Sequence, residues 1–495
     1  MTTTLLPITL PTDGLAGCFI DGAWHTPAAT LSVENPSRRE PIADVGRAGA
    51  AEIDLAVDAA RRASLAWRSL PASERGALLA ELGSRLTENH EQVARLLAAE
   101  TGNAIRTQAR GETTGAAQVL NYYGGVAVEQ KGEVLPFGSG LFSFTTREPI
   151  GVVGSIIPWN APLQLGCVKI SMALATGNTL VLKPAEDAPL AILRLIELAA
   201  DLFPPGVLNV VTGVGEEAGA ALAAHPGVDK LSFTGSSEVG LAVARQAADR
   251  MAHATLELGG KSPCIVFPDA ATGDRLAETS QGIVNAMRFA RQGQSCTAGS
   301  RVFIHRDVWE PVLDGVVEIA NGMVIGDALD ERSDIGAIIN AERYAEVRSY
   351  IAEAEAAGAV FLTGATPLPV DEATSFQPIP TIFTGIDNTW RISREEVFGP
   401  VMVAIPWDDE ADLLAMANDT HYGLAAFIFS QDVDTVMRVS DALDAGWIWV
   451  NDGGGQIPGM SYGGTKQSGM GREYSIEGAL DAYTARKSVT MRLRP

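Results

Sequence analysis

Cysteine is scarce in this chain, and the four present, Cys18, Cys167, Cys264 and Cys296, are dispersed without a single CxxC pair. Disulfide frameworks and cysteine zinc sites are therefore excluded as organising devices, and reduced thiols are expected. Histidine is equally thin: His25, His90, His225, His253, His305 and His421 show no metal-ligand spacing, so no metal is expected. Positive charge is in deficit, and a net charge of −23 repels phosphate backbones and anionic lipid surfaces. No nucleic-acid or membrane partner is expected. Uncharged apolar runs of about 18 residues are missing, as is the positively charged start of a secretory signal. A cytoplasmic protein is expected.

What is present is a chain of 495 residues, 46 % hydrophobic and 20 % charged, a balance that fits neither a disordered polymer nor a membrane bundle. At about 150 residues per domain it holds roughly three domain-sized units. Residues 51–130 carry apolar positions at three and four spacing and read as helices. From 150 onward, β-branched runs at 150–157, 179–182, 207–211, 229–233 and 254–258 alternate with helical segments, the pattern of a parallel sheet covered on both faces. A second series, at 263–267, 301–304, 401–405, 425–429 and 447–450, predicts a second α/β domain. The segments near 131–149 and at the carboxyl end are β-type but lie outside the alternation. Unpaired strand edges of that kind are sites for contacts between subunits.

Three short patterns mislead. The 213–218 segment GVGEEA fits a dinucleotide fingerprint, but in a chain with 51 glycines a strand-to-helix turn explains it as well. The 459–463 segment GMSYG has the letters of a serine nucleophile elbow, yet neither strand nor helix flanks it, and His421 is the last histidine. The 259–262 segment GGKS ends like a phosphate-binding loop, but Pro263 spoils the helix that should follow.

Parallel sheets expose their ligands just past the carboxyl ends of their strands. Asn160 follows the first strand, Lys183, Ala185 and Glu186 the second, Gly235 and Ser236 the fourth, and Glu257, Leu258 and Gly259 the fifth. These ends make one crevice. Cys296 joins them from a loop, with Gly293 expected to end the preceding helix. Singly, each has a plain structural reading: a buried thiol, a helix cap, a solvated lysine, a satisfied buried acid, a turn. Together they form a reaction set.

The ordered motifs PWNAP, KPAE, FTGSSEVG, LELGGKSP, GQSCTAGSR, EEVFGPV and YGGTKQSGMGRE resemble those of the aldehyde dehydrogenase superfamily, from about residue 20 to the carboxyl end. The resemblance implies two doubly wound α/β domains, a Rossmann-like cofactor domain and a catalytic domain, plus a small β bridging region. The expected bounds are 1–130 and 150–259 for the NAD-binding domain, 260–467 for the catalytic domain, and 131–149 with 468–495 for the bridging region of a homodimer or homotetramer. It implies Cys296 as the nucleophile that attacks an aldehyde, the Asn160 amide and the Cys296 backbone N–H as donors to the resulting alkoxide, and Glu257 as the base that hydrolyses the thioester, with Gly259 and Gly260 leaving room for carboxylate and cofactor ring in one channel, and Lys169 and Glu473 as a secondary proton relay. It places the cofactor on Ile156, Ile157, Trp159, Lys183, Ala185, Glu186, Gly215, Phe233, Gly235, Ser236, Val239, Leu258, Gly259, Glu396 and Phe398. A carboxylate at Glu186 favours NAD over NADP, because it binds ribose hydroxyls and repels a 2′-phosphate.

Three positions depart from the usual pattern: Ala161 replaces a frequent phenylalanine, Ala290 a frequent aromatic, and Arg291 an asparagine. With Leu165, Val168, Ser295, Thr297, Met460 and Tyr462 as further lining, an apolar channel for a medium or bulky aldehyde is expected. No arginine or lysine clearly awaits a second substrate carboxylate, although Arg291 leaves a semialdehyde open. The competing readings are a semialdehyde dehydrogenase, an enzyme that acylates coenzyme A, and a catalytically inactive structural or binding protein.

Overall fold

The β-branched segments pair into sheets because neighbouring residues along each strand send side chains to opposite faces, and both faces here are covered. In the computed structural model, which describes residues 17–138, 140–363 and 375–493, Val152 and Val181 pack on one face with Ile53, Ala56 and Val57 of helix Ala50–Ser69. Val153, Leu180 and Leu182 pack on the other face with Leu163, Ile170 and Ile192. Burial on both sides is what makes these strands continuously apolar. Each such side chain contributes about 1.5–3 kcal/mol.

The first sheet has eight strands in the order Gly469–Met470, His253–Glu257, Lys230–Thr234, Val152–Ile156, Thr179–Lys183, Leu208–Val210, Cys18–Ile20, Ala23–His25. The middle five are parallel. Chain order runs outward from Val152–Ile156 in one direction and then resumes on its other side with Lys230–Thr234, so the strand ends diverge there and leave a crevice. Antiparallel additions flank them, Cys18–Ile20 on Leu208–Val210 with Ala23–His25 outside it, and Gly469–Met470 on His253–Glu257. None shows as an alternating run, because each is only two or three residues long.

A seven-stranded sheet follows, in the order Val360–Thr363, Thr381–Thr384, Val401–Trp407, Arg301–His305, Pro263–Val266, Ala425–Phe429, Trp447–Val450, with only the first strand antiparallel. The strands Val360–Thr363 and Thr381–Thr384 were not among the expected runs. A third sheet joins Thr484–Arg492, Leu141–Pro149 and Val134–Leu135. Among the described residues, no helix is long and apolar enough to cross a membrane.

Helix Pro162–Ala175 sets the site. Proline suits its first turn, but its N-cap, Ala161, has no side chain that can accept the orphan N–H groups. Glu112, buried on helix Arg110–Val126, accepts them instead, from Leu163 at 3.2 Å and Gln164 at 3.4 Å. That cap fixes the start of the helix, and with it the Asn160 loop.

Candidate active site

A cleft of about 1140 Å³ opens at the carboxyl ends of the first sheet and runs to the second. Its walls bring together Trp159, Asn160, Ala161, Leu165, Gly235, Ser236, Glu257, Leu258, Gly259, Ala290, Ser295, Cys296, Thr297, Glu396, Phe398, Tyr462 and Glu473. Cys296 is half-buried on a loop, and its Sγ lies 3.5 Å from the Tyr462 hydroxyl. Burial pushes its thiol up to about 11; the Tyr462 hydroxyl pulls the other way, and the Glu396 and Glu257 carboxylates add to the rise.

Glu257 ends strand His253–Glu257 and is buried with neither carboxylate oxygen hydrogen-bonded to protein. Burial, with Glu473 adding to it and Lys169 and Arg472 opposing, drives its carboxyl well above the usual range. A buried carboxyl with no hydrogen-bond partner in the protein is costly, which makes it a poor structural element. Gly463 makes its space, since a Cβ there would stand 2.8 Å from Glu257 Oε1. Lys169 lies outside the cleft and forms a fully buried ion pair with Glu473, which does face it.

Asn160 is clamped on both sides. Its Nδ2 donates to the Gln294 carbonyl at 3.0 Å, which leaves the second amide hydrogen free. Its backbone carbonyl accepts from Arg291 Nη1 at 2.9 Å and Asn103 Nδ2 at 3.2 Å. Arg291 also holds Glu112 at 3.1 Å and Gln108 at 3.0 Å, so its charge is spent inside the protein and awaits no substrate. Its departure from asparagine thus has a structural role.

Several expectations are corrected. Gly293 does not end the helix: helix Arg275–Met287 stops earlier, with Arg288 in the left-handed region at φ 60°, followed by a 3₁₀ turn. Gly293, at φ 65°, is required because a Cβ would meet the Gly399 carbonyl at 2.0 Å. Gly259 and Gly260 serve other neighbours than Glu257. A Cβ on Gly259 would stand 2.4 Å from Glu396 Oε2, one on Gly260 would collide with the Cys296 carbonyl, and the Gly260 N–H donates to Glu396 at 2.9 Å. Burial raises the Glu396 carboxyl to about 7, against that hydrogen bond and Lys261.

Val168 and Met460 do not line the cleft. Val168 sits on the core side of helix Pro162–Ala175, fully buried, and Met460 packs against the same core. The wall they were to supply is mixed instead, with Gln108, Gln118, Asn285, Arg288 and Gln456 facing the cavity beside the small residues. The face of helix Arg275–Met287 that lines it, Gln281, Val284, Asn285 and then Arg288, follows three and four spacing, a signal the sequence carried.

The cofactor positions divide. Trp159 and Phe398 meet edge to face at 5.4 Å, with Phe398 held at φ 54°. Ser236 caps helix Ser237–Ala248 by accepting the Val239 N–H at 3.3 Å; Val239 itself is half exposed on the first turn. Ile157 and Phe233 are buried, Phe233 directly beneath Gly235, so they support the surface rather than present side chains to it. Ile156 is partly exposed at the end of its strand. Lys183, Ala185, Glu186 and Gly215 lie outside the cleft, one strand further along. There Lys183 pairs with Glu186 at 2.8 Å, and the Gly215 N–H donates to Glu186 at 3.3 Å. Burial opposes ionisation of Glu186, but Lys183 outweighs it and holds the carboxyl below its ordinary value. The GVGEEA segment is a widened helical turn, Gly215–Gly219, tied to Glu186.

The aldehyde dehydrogenase family model matches residues 24–489. Hydroxyisobutyraldehyde dehydrogenase of Mycolicibacterium austroafricanum is 38 % identical, over 96 % of this chain and 94 % of its own. Cytosolic aldehyde dehydrogenase 1 of Rattus norvegicus is also 38 % identical, over the same shares. Among solved structures, the NAD+ complex of aldehyde dehydrogenase from Bacillus cereus superposes with a TM-score of 0.92 at 36 % identity, covering 98 % of each chain. With a matching family model over nearly its whole length and relatives of this identity, the chain belongs to the aldehyde dehydrogenase family.

Proposed function

We propose that this chain oxidises an aldehyde to its carboxylic acid with NAD, through a thiohemiacetal on Cys296 and hydrolysis of the thioester that follows. The observation that carries the reading is the half-buried Cys296 thiol in one cleft with the clamped Asn160 amide and the unpartnered Glu257 carboxyl. The residues present fit a dinucleotide: a bare strand-to-helix turn at Gly235 and Ser236, an aromatic pair at Trp159 and Phe398, and a carboxylate at Glu396 whose space only glycine at 259 allows. A dinucleotide-bearing relative of the same fold supports it. NAD, when bound, accepts the hydride.

The protein supplies the rest. Cys296 loses its proton to Glu257 and its sulfur bonds to the carbonyl carbon. The resulting alkoxide takes hydrogen bonds from the free Asn160 amide hydrogen and the Cys296 N–H. Once the carbon has lost hydride it is a thioester; Glu257 passes the thiol's proton on to Glu473 and Lys169, which would relay it to solvent, and, ionised again, takes a proton from the attacking water. The carbon–sulfur bond then breaks, and the departing sulfur takes that proton from Glu257 to reform the thiol.

Ala161, Leu165, Ala290, Ser295, Thr297 and Tyr462 would surround the substrate, with room for a medium or bulky aldehyde. Glu186 favours NAD over NADP. The first sheet with its helices would form the cofactor domain and the second the catalytic domain. The three-stranded sheet, which exposes Val134, Leu141 and Phe142, with Phe137 exposed on the loop between its strands, would join a homodimer or homotetramer. Glu257 argues against acyl transfer to coenzyme A, where no hydrolytic base is needed. An absorbance panel of aldehydes with NAD and NADP tests the reading. NADH formation is expected, and its absence from every aldehyde would leave the inactive binding protein as the better account.

A further inference from the structure

Three arginines face the cleft, and two are spent. Arg291 is held by Glu112, and Arg343 by Glu346. Arg288 differs. Its Nη1 donates to the Gly454 carbonyl at 2.7 Å, and among the described residues no carboxylate forms an ion pair with it. Among the described residues, none of its side-chain nitrogens is both fully buried and without a partner, and the residue lines the cleft. Its left-handed backbone, rare for a non-glycine residue, turns the side chain off the end of helix Arg275–Met287, where the Phe427 ring backs it at 6.0 Å. Burial, with Arg291 adding to it, lowers its guanidinium to about 10, against Tyr462, Cys296 and Asp452, and it lines the same cleft as Cys296 and Tyr462. Asp452, the nearby acid, is exposed and turned to the Gly453 N–H at 2.6 Å. Space has been left around it: Ala161 and Ala290 are small, and at Gly455 even an added Cβ would meet nothing within 4 Å.

A half-buried guanidinium with open donors matches a planar anion, because its fork binds two oxygens at once. We propose that Arg288 binds a carboxylate carried by the aldehyde substrate remote from its carbonyl, so that the preferred substrate is an aldehyde acid whose chain or ring joins Arg288 to Cys296. The proposal rests on the aldehyde-oxidising reading and names its substrate class. It also reverses the expectation of a uniformly apolar channel.

The test compares kcat/KM for matched pairs, 4-carboxybenzaldehyde against 4-methylbenzaldehyde and glutaric semialdehyde against pentanal, in the wild type and in Arg288→Met, Arg288→Lys and Asp452→Asn. The wild type should favour the acid of at least one pair by about 10- to 100-fold, the range of a charged hydrogen-bonded contact. Arg288→Met should remove that ratio, mainly through KM. Arg288→Lys should retain part of it, and Asp452→Asn should raise it. No preference in the wild type, or an equal loss on both members of a pair in Arg288→Met, overturns the assignment. Calorimetric titration with the products, terephthalate against 4-methylbenzoate, reads the same contact without turnover. Should no aldehyde give NADH, the oxidation reading fails by itself; equal product affinities in wild type and Arg288→Met would overturn the Arg288 site independently.

Discussion

At the residue scale, the proposed chemistry depends on two groups whose ionisation burial opposes. Burial pushes the Cys296 thiol up to about 11 and drives the Glu257 carboxyl well above its usual range, because it penalises charge. Attack requires the thiol proton to leave and hydrolysis requires the carboxylate, so both deprotonated forms grow as pH rises. The single-turnover rate of NADH formation should therefore climb between about pH 7 and 9, and a rate that falls over that interval would contradict these roles. Asn160→Ala removes one alkoxide donor and should lower kcat by about 100-fold, near 3 kcal/mol, with a smaller change in KM. Steady-state kinetics on one aldehyde checks it. That Cys296 and Glu257 face one cleft was legible in the sequence, because the ends of parallel strands converge and the ordered motifs carry both residues. Arg288 and Glu112 were not, because a helix-end arginine and a mid-helix acid look like surface charge until the fold turns them inward.

At the scale of elements, the Glu112 and Arg291 pair joins three pieces: helix Arg110–Val126, the start of helix Pro162–Ala175 and the turn before Cys296. Removing one partner of a buried pair strands the other charge, a loss of about 3–5 kcal/mol. Glu112→Ala should therefore lower the chemical-denaturation midpoint clearly, whereas Arg291→Asn, which restores the common residue, should cost kcat through a loosened Asn160 loop. A Glu112→Ala midpoint equal to the wild type would show that the cap and pair carry no load. The alternating strands were readable because burial on both faces makes them continuously apolar. Short edge additions such as Gly469–Met470 were not, since two residues have no periodicity and are placed by the strand they join.

At the scale of the whole molecule, the site exists only because the two large sheets meet along one cleft, with Glu257 from the first and Cys296 from the loop leading into the second. A ligand that bridges that cleft should stabilise the folded state, by about 2.7 kcal/mol at one hundred times its dissociation constant. NAD should raise the thermal midpoint more than NADP does, and Glu186→Gln should narrow the difference; equal shifts in the wild type would remove Glu186 as the discriminator. The crevice was legible because strand order follows chain order outward from one switch point. The reach of the cleft into Arg288 was not, because it arises from a helix that ends several residues before its glycine.

The most direct measurement is intact-protein and peptide mass spectrometry of Glu257→Gln mixed with NAD and one accepted aldehyde. An added acyl group on the peptide bearing Cys296, matched by one equivalent of NADH and little further turnover, is the predicted result. Full turnover with no adduct, or an adduct on another residue, would contradict a thioester on Cys296 that Glu257 resolves.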